Sequence, residues 1–126
     1  MIPISYGELA DKITILQIKA RRITDPAKLS NINLELEKLT TIWETIVIPK
    51  DHIIQDLVKQ LEVVNDFLWT VEDKLRDKEN AFAFDQEFIQ LARKVYFKND
   101  ARAKIKRLIN ELLHSTIIEE KSYSKY

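Results

Sequence analysis

The stretch DHIIQDLVKQLEVVNDFLWTVEDKLRDKE, residues 51–79, decides the fold. Ile54, Leu57, Leu61, Val64, Leu68, Val71 and Leu75 recur three and four residues apart. That spacing sets them along one seam of a long helix. Asn65, Trp69, Glu72 and Arg76 run beside the seam at the same period and carry hydrogen-bonding and charged groups. A helix with a dry seam and a polar edge packs a bundle, and it can also wall a site.

The composition agrees. The chain has 126 residues, 45% hydrophobic and 32% charged, enough for a single helical domain over 1–126 with its own core. One Gly and three Pro are too few for an all-β fold, which needs a turn every several residues. The expectation is all-α: an antiparallel bundle of about four long, hairpin-like helices, coiled-coil-like in part. The absence of Cys excludes disulfides, thiolate metal sites and a Cys nucleophile. No apolar run approaches the roughly 18 residues of a membrane span, and MIPISYGEL lacks the basic start and apolar block of a signal peptide. A cytoplasmic protein with no membrane partner is expected.

Twenty bases and twenty acids cancel, so bulk charge draws the chain to neither nucleic acid nor membrane. Their distribution is uneven. Residues 56–87 hold nine acids against four bases, and residues 93–107 hold seven bases against Asp100 alone. Opposite-sign neighbours of this kind fix the pairing of an antiparallel hairpin. A basic face for an anionic partner is the alternative.

The other helices follow from start signals and periodicity. Ser5 and Glu8 form a capping box, with Ile4 and Leu9 spaced as a hydrophobic staple. A helix over 6–23 then carries Leu9, Ile13, Leu16, Ala20 and Ile23, with Ile15 and Ile18 off the seam for a second neighbour. Asp25 before Pro26 caps a second helix, 26–46, which ends ahead of Pro49. The third helix starts at 51. Asp85 caps a fourth over 86–114, with Phe84 and Ile89 as its staple and Phe82 and Phe84 closing the core's end. In that helix Lys98 and Arg102 fall in the apolar stripe. Asn99-Asp100 could cap a fresh helix there, but one continuous helix is favoured. Ile117 and Ile118 are expected to dock, and the last residues to be mobile.

No chemistry announces itself. His52 and His114 lack ligand-spaced partners, so no metal and no cofactor is expected. Gly7 alone cannot make a phosphate loop. What remains is a polar cluster on helix faces bordering the core: Lys12, Lys19, Asn65, Trp69, Glu72, Arg76, Arg93, Tyr96, Asn99 and Arg102. A guanidinium in an apolar stripe must be paired or solvated, since an unpaired buried charge costs several kcal/mol. Either Arg102 or Arg76 pairs with Glu72 or Asp73 and sets the bundle's register, or the cations line a cleft for a carboxylate or phosphate, with Trp69 or Tyr96 stacking on it.

The words ISYGELADKITILQIK, VNDFLWTVEDKLRDKE, FDQEFIQLARKVYFKNDARAKIKRLIN and EEKSY resemble those of a small domain-of-unknown-function family, DUF6165, met mainly in bacteria. The resemblance covers nearly the whole chain, except around helix 2 and Pro49. It implies a helical domain without an assigned activity. The shared words include Asp11, Lys12, Lys19, Asn65, Trp69, Glu72, Asp73, Arg76, Arg93, Tyr96, Asn99, Asp100, Arg102 and Lys106.

Three functions compete at this point. The first is a non-catalytic interaction or small-ligand-binding module. The second is a cofactor-free enzyme, or a binder of a small anionic metabolite, on a cleft lined by Lys12, Arg76, Arg93 and Arg102. The third, less expected, is nucleic-acid binding through the 93–107 face. A homodimer is expected because Ile15, Ile18 and Leu34 lie on second apolar sides.

Overall fold

The computed structural model describes residues 4–46 and 51–113, and within them the chain is all-α. Four helices follow in order: α1 (Tyr6–Arg22), α2 (Pro26–Ile46), α3 (His52–Asn80) and α4 (Gln86–Leu112). No described helix is long and apolar enough to cross a membrane. The break at Pro49, His114, and the docking of Ile117 and Ile118 lie outside the described residues.

Side-chain caps begin each helix. Ser5 Oγ accepts from the Glu8 amide at 3.2 Å, and Asp25 Oδ1 accepts from the Ala27 amide at 3.0 Å. Asp51 Oδ1 accepts from the amides of Ile53 and Ile54, each at 3.1 Å. Asp85 Oδ1 accepts from Phe88 N at 2.9 Å. Each satisfies amides that the first turn leaves without a helical partner. The capping box at α1 is only half made, because the Glu8 carboxylate turns away to Lys106.

α3 and α4 form an antiparallel hairpin, and α1 lies against both. At the level of the backbone α2 touches α1 alone, and it has no fully buried residue. Its Trp43 reaches a core of Ala10, Leu57, Leu61, Ile105 and Ile109. The α3 seam buries Ile54, Leu57, Leu61, Leu68 and Val71 as its period requires, with Asn65 among them. α4 is continuous through Asn99-Asp100. Of the two cations in its stripe, Lys98 lays its ammonium over the Phe67 ring, 4.8 Å from the centroid, and Arg102 reaches α1.

Several expectations need correction. The second apolar side of α1 is met within the chain, where Ile18 is buried and Ile15 half-buried beside α3 and α4. Phe82 and Phe84 do not close the core: they are 82% and 53% exposed. The polar contacts of α1 fall on residues 62–70 of α3 and 102–110 of α4, so the hairpin runs on past them toward its turn. There Phe84 packs edge-on to Phe88 at 5.3 Å, while its expected staple partner Ile89 is half exposed. The charge blocks do not simply zip α3 to α4 either. Glu62 and Asp66 of α3 pair with Arg21 and Arg22, and Arg102 and Lys106 of α4 pair with Asp11 and Glu8. α1 thus has acids at one end for α4 and bases at the other for α3.

Candidate functional site: a buried ion pair beside an open cleft

The centre of the site is Asp11, only 1% exposed. It sits one turn past Gly7, where α1 comes nearest α4. A Cβ on Gly7 would meet the Lys106 carbonyl oxygen at 2.3 Å, so only glycine allows this approach. The approach is held by the Gly7 amide, which donates to Asn110 Oδ1 at 2.7 Å.

A carboxylate taken out of water must have its lone pairs met. Asp11 Oδ1 accepts from Asn65 Nδ2 and from Arg102 Nε, both at 2.8 Å. Its Oδ2 accepts from Arg102 Nη2, so the guanidinium grips it with two nitrogens, the strongest form of such a pair. Asn65 Nδ2 also donates to Thr14 Oγ1 at 2.9 Å, and that hydroxyl donates to the Asp11 carbonyl at 2.8 Å. Lys106 Nζ lies 3.9 Å from Asp11 Oδ2 and 2.7 Å from Glu8 Oε2. Among the described residues no buried side-chain nitrogen or oxygen lacks a partner.

Arg102 therefore turns inward, as its place in the stripe required, but its partner is Asp11 and not Glu72 or Asp73. Its side chain keeps 28% exposure, and it borders two clefts. The smaller, about 280 Å³, is lined by Glu8, Asn99, Arg102, Lys106, Arg107 and Asn110 among others. The larger, about 460 Å³, has Ile15, Ile18 and Leu68 as its apolar floor. Trp69, Glu72, Asp73, Arg76, Asn65, Asn99 and Arg102 complete it.

The ten residues singled out in the sequence thus divide. Asn65, Trp69, Glu72, Arg76, Asn99 and Arg102 share the larger cleft. Lys12 faces Glu35 of α2 at 3.8 Å, and half-buried Lys19 lines neither cleft. Arg93 lies over the Phe97 ring at 6.0 Å, and Tyr96 is exposed outside both clefts. Lys12, Arg76, Arg93 and Arg102 do not converge as an anion cage, because Lys12 and Arg93 are held elsewhere. Asp11, the centre of the site, was not among the ten, nor were Gly7, Glu8, Thr14, Lys106 and Asn110. The lone glycine of the chain, placed inside a helix, was the available signal, since Gly there is costly unless a close approach needs it.

The class this defines is an all-α bundle in which a buried Asp–Arg pair joins α1 to α4, and Asn65 ties α3 to the same carboxylate, at the edge of an open, amphipathic cleft. The chain belongs to a family of unknown function (DUF6165), which it matches over residues 1–126. No curated protein and no solved structure matches it.

Proposed function

We propose that the protein is a non-catalytic helical module that binds a small ligand in the larger cleft. One contrast supports this. The buried network is fully satisfied, whereas Trp69, Glu72, Asp73, Arg76 and Asn99 around the cleft make no side-chain hydrogen bond or ion pair with the described residues. Free polar groups converging on an apolar floor are the usual composition of a ligand pocket. Asp11 adds preorganisation, since it fixes Arg102 at the cleft wall before any ligand arrives.

A thermal-shift screen of small metabolites tests the proposal. Hits should vanish in Trp69→Ala while the melting temperature without ligand changes little, because Trp69 is only half-buried. A screen without hits, or hits indifferent to Trp69→Ala, sinks it.

Two further expectations belong to the same reading. The protein acts in the cytoplasm, and it forms a homodimer through α2, whose Leu34 and Ile42 are 54% and 49% exposed. Light scattering on the parent and on Leu34→Glu checks the dimer: a parent monomer ends it. The nucleic-acid reading loses support, since Arg102 and Lys106 are drawn to α1 and Arg93 and Lys98 lie on aromatic rings.

A further inference from the structure

The charges around the larger cleft select a class of ligand, on the premise that the cleft is a binding site. We propose that it takes a small molecule with an ammonium group on an apolar body, and that it disfavours anions. One reading of the sequence was the opposite, an anion-binding cleft lined by Lys12, Arg76, Arg93 and Arg102. In the fold, Asp11 neutralises Arg102, and Lys12 and Arg93 stand outside this cleft. The charged groups left facing the cleft are Glu72, Asp73 and Arg76. Two carboxylates against one guanidinium leave a net charge of minus one. An incoming anion would meet those carboxylates, while Arg102 is already gripping Asp11.

An ammonium group meets the reverse situation. It brings donors and no acceptor, and the carboxylates of Glu72 and Asp73 offer it acceptors. Trp69 stands one turn before them on the same edge of α3, and the face of an indole attracts cations. The apolar body of the ligand has Ile15 and Leu68 to cover. Arg76, one turn further on, gives a zwitterion's carboxylate a place without inverting the preference.

A matched set of four aryl probes tests this on the full chain: phenethylamine, phenylalanine, phenylacetate and phenethyl alcohol, titrated calorimetrically and by thermal shift. Phenethylamine and phenylalanine are expected to raise the melting temperature by about 10 °C at a hundredfold excess over Kd. Phenylacetate should bind at least about tenfold more weakly, since like charge opposes it. The double variant Glu72→Gln/Asp73→Asn should lose about tenfold for the two ammonium probes and keep the parent melting temperature, both sites being exposed. Phenylacetate binding as tightly as phenethylamine, or ammonium binding unchanged in the double variant, overturns the ligand class. If only phenylacetate or phenethyl alcohol binds, and does so through Trp69, the cleft survives as a site and the class falls. If none of the four binds, class and cleft fall together.

Discussion

The backbone amide of Gly7 donates to the side-chain oxygen of Asn110 at 2.7 Å across 103 residues of chain. The same approach leaves no room for a methyl group between α1 and α4. By helix propensity alone Gly7→Ala should stabilise by up to about 1 kcal/mol. The nearest obstacle, however, is the Lys106 backbone carbonyl and not a movable side-chain tip. Helix α1 must then lift off α4, and overpacking of that kind costs about 1–3 kcal/mol. Gly7→Ala is therefore expected to lose about 2 kcal/mol in a urea titration. A neutral or stabilised variant would show that the approach is not tight.

Asp11 and Arg102 form the pair whose loss should be felt most. Arg102→Ala leaves a carboxylate that is 1% exposed without its main partner, and breaking a buried pair from one side costs about 3–5 kcal/mol. Replacing both at once, Asp11→Leu with Arg102→Met, should recover much of that loss, because no lone charge remains. Chemical denaturation of the two singles and the double gives the coupling energy. Singles that cost under about 1 kcal/mol would reduce the pair to a surface bridge.

The end of α3 stores strain that can be relieved. Phe82 N donates to Glu79 O at 3.1 Å and Ala83 N to Lys78 O at 2.9 Å, the two bonds of a Schellman motif. The residue at its left-handed position is Phe82, with φ 52°, where Gly is preferred because a Cβ costs about 1 kcal/mol or more. Its ring is largely in solvent and gives back little beyond an edge contact with Phe84. Phe82→Gly should raise the melting temperature by a few degrees, equivalent to about 0.5–1 kcal/mol. A lower melting temperature would mean that the ring contributes more than the strain costs.

Across the same turn Lys78 Nζ donates to Asp85 Oδ2 at 2.8 Å and to Glu87 Oε2 at 3.1 Å. The Lys78 hydrogen bond, and after it the Phe88 amide, hold the Asp85 carboxyl below the usual carboxylate range. The bonds to Asp85 and then Glu87 push the Lys78 ammonium above its usual value. For a depressed carboxyl the gain is present above the unfolded value, about pH 4, and is lost as pH falls through the folded one. For a raised ammonium it is present below about pH 10.4 and is lost as pH rises through the folded value. The denaturation midpoints of the parent and Lys78→Met should differ by a constant amount from about pH 5 to pH 9 and converge at both extremes. The difference should also shrink in about 1 M salt. A gap that widens on acidification would assign the effect to another group.

How far the letters could be read depends on whether a feature is local. The α3 seam is visible because a helix repeats its faces every few residues, and Asn65 and Trp69 come from the same arithmetic. The caps at Ser5, Asp25 and Asp85 are legible for the same reason, since each acts on amides two or three residues ahead. Arg102 was legible as a problem, a charge in an apolar stripe. Its answer was not, because Asp11 lies 91 residues away and within α1 reads like any helical acid. Phe82 and Phe84 misled for a related reason: aromatic residues suggest a core, but how far along the hairpin α1 lies is not written in the turn.

The sequence by itself determined four helices, their starts, and which cations could not stay in solvent, since hydrogen-bond geometry and side-chain periodicity act within a few residues. Only the tertiary structure decided who neutralises whom. Electrostatic pairing depends on which helices lie side by side, and that juxtaposition, set by the close contact at Gly7, spent Arg102 on Asp11 and left the larger cleft with Glu72 and Asp73 against Arg76.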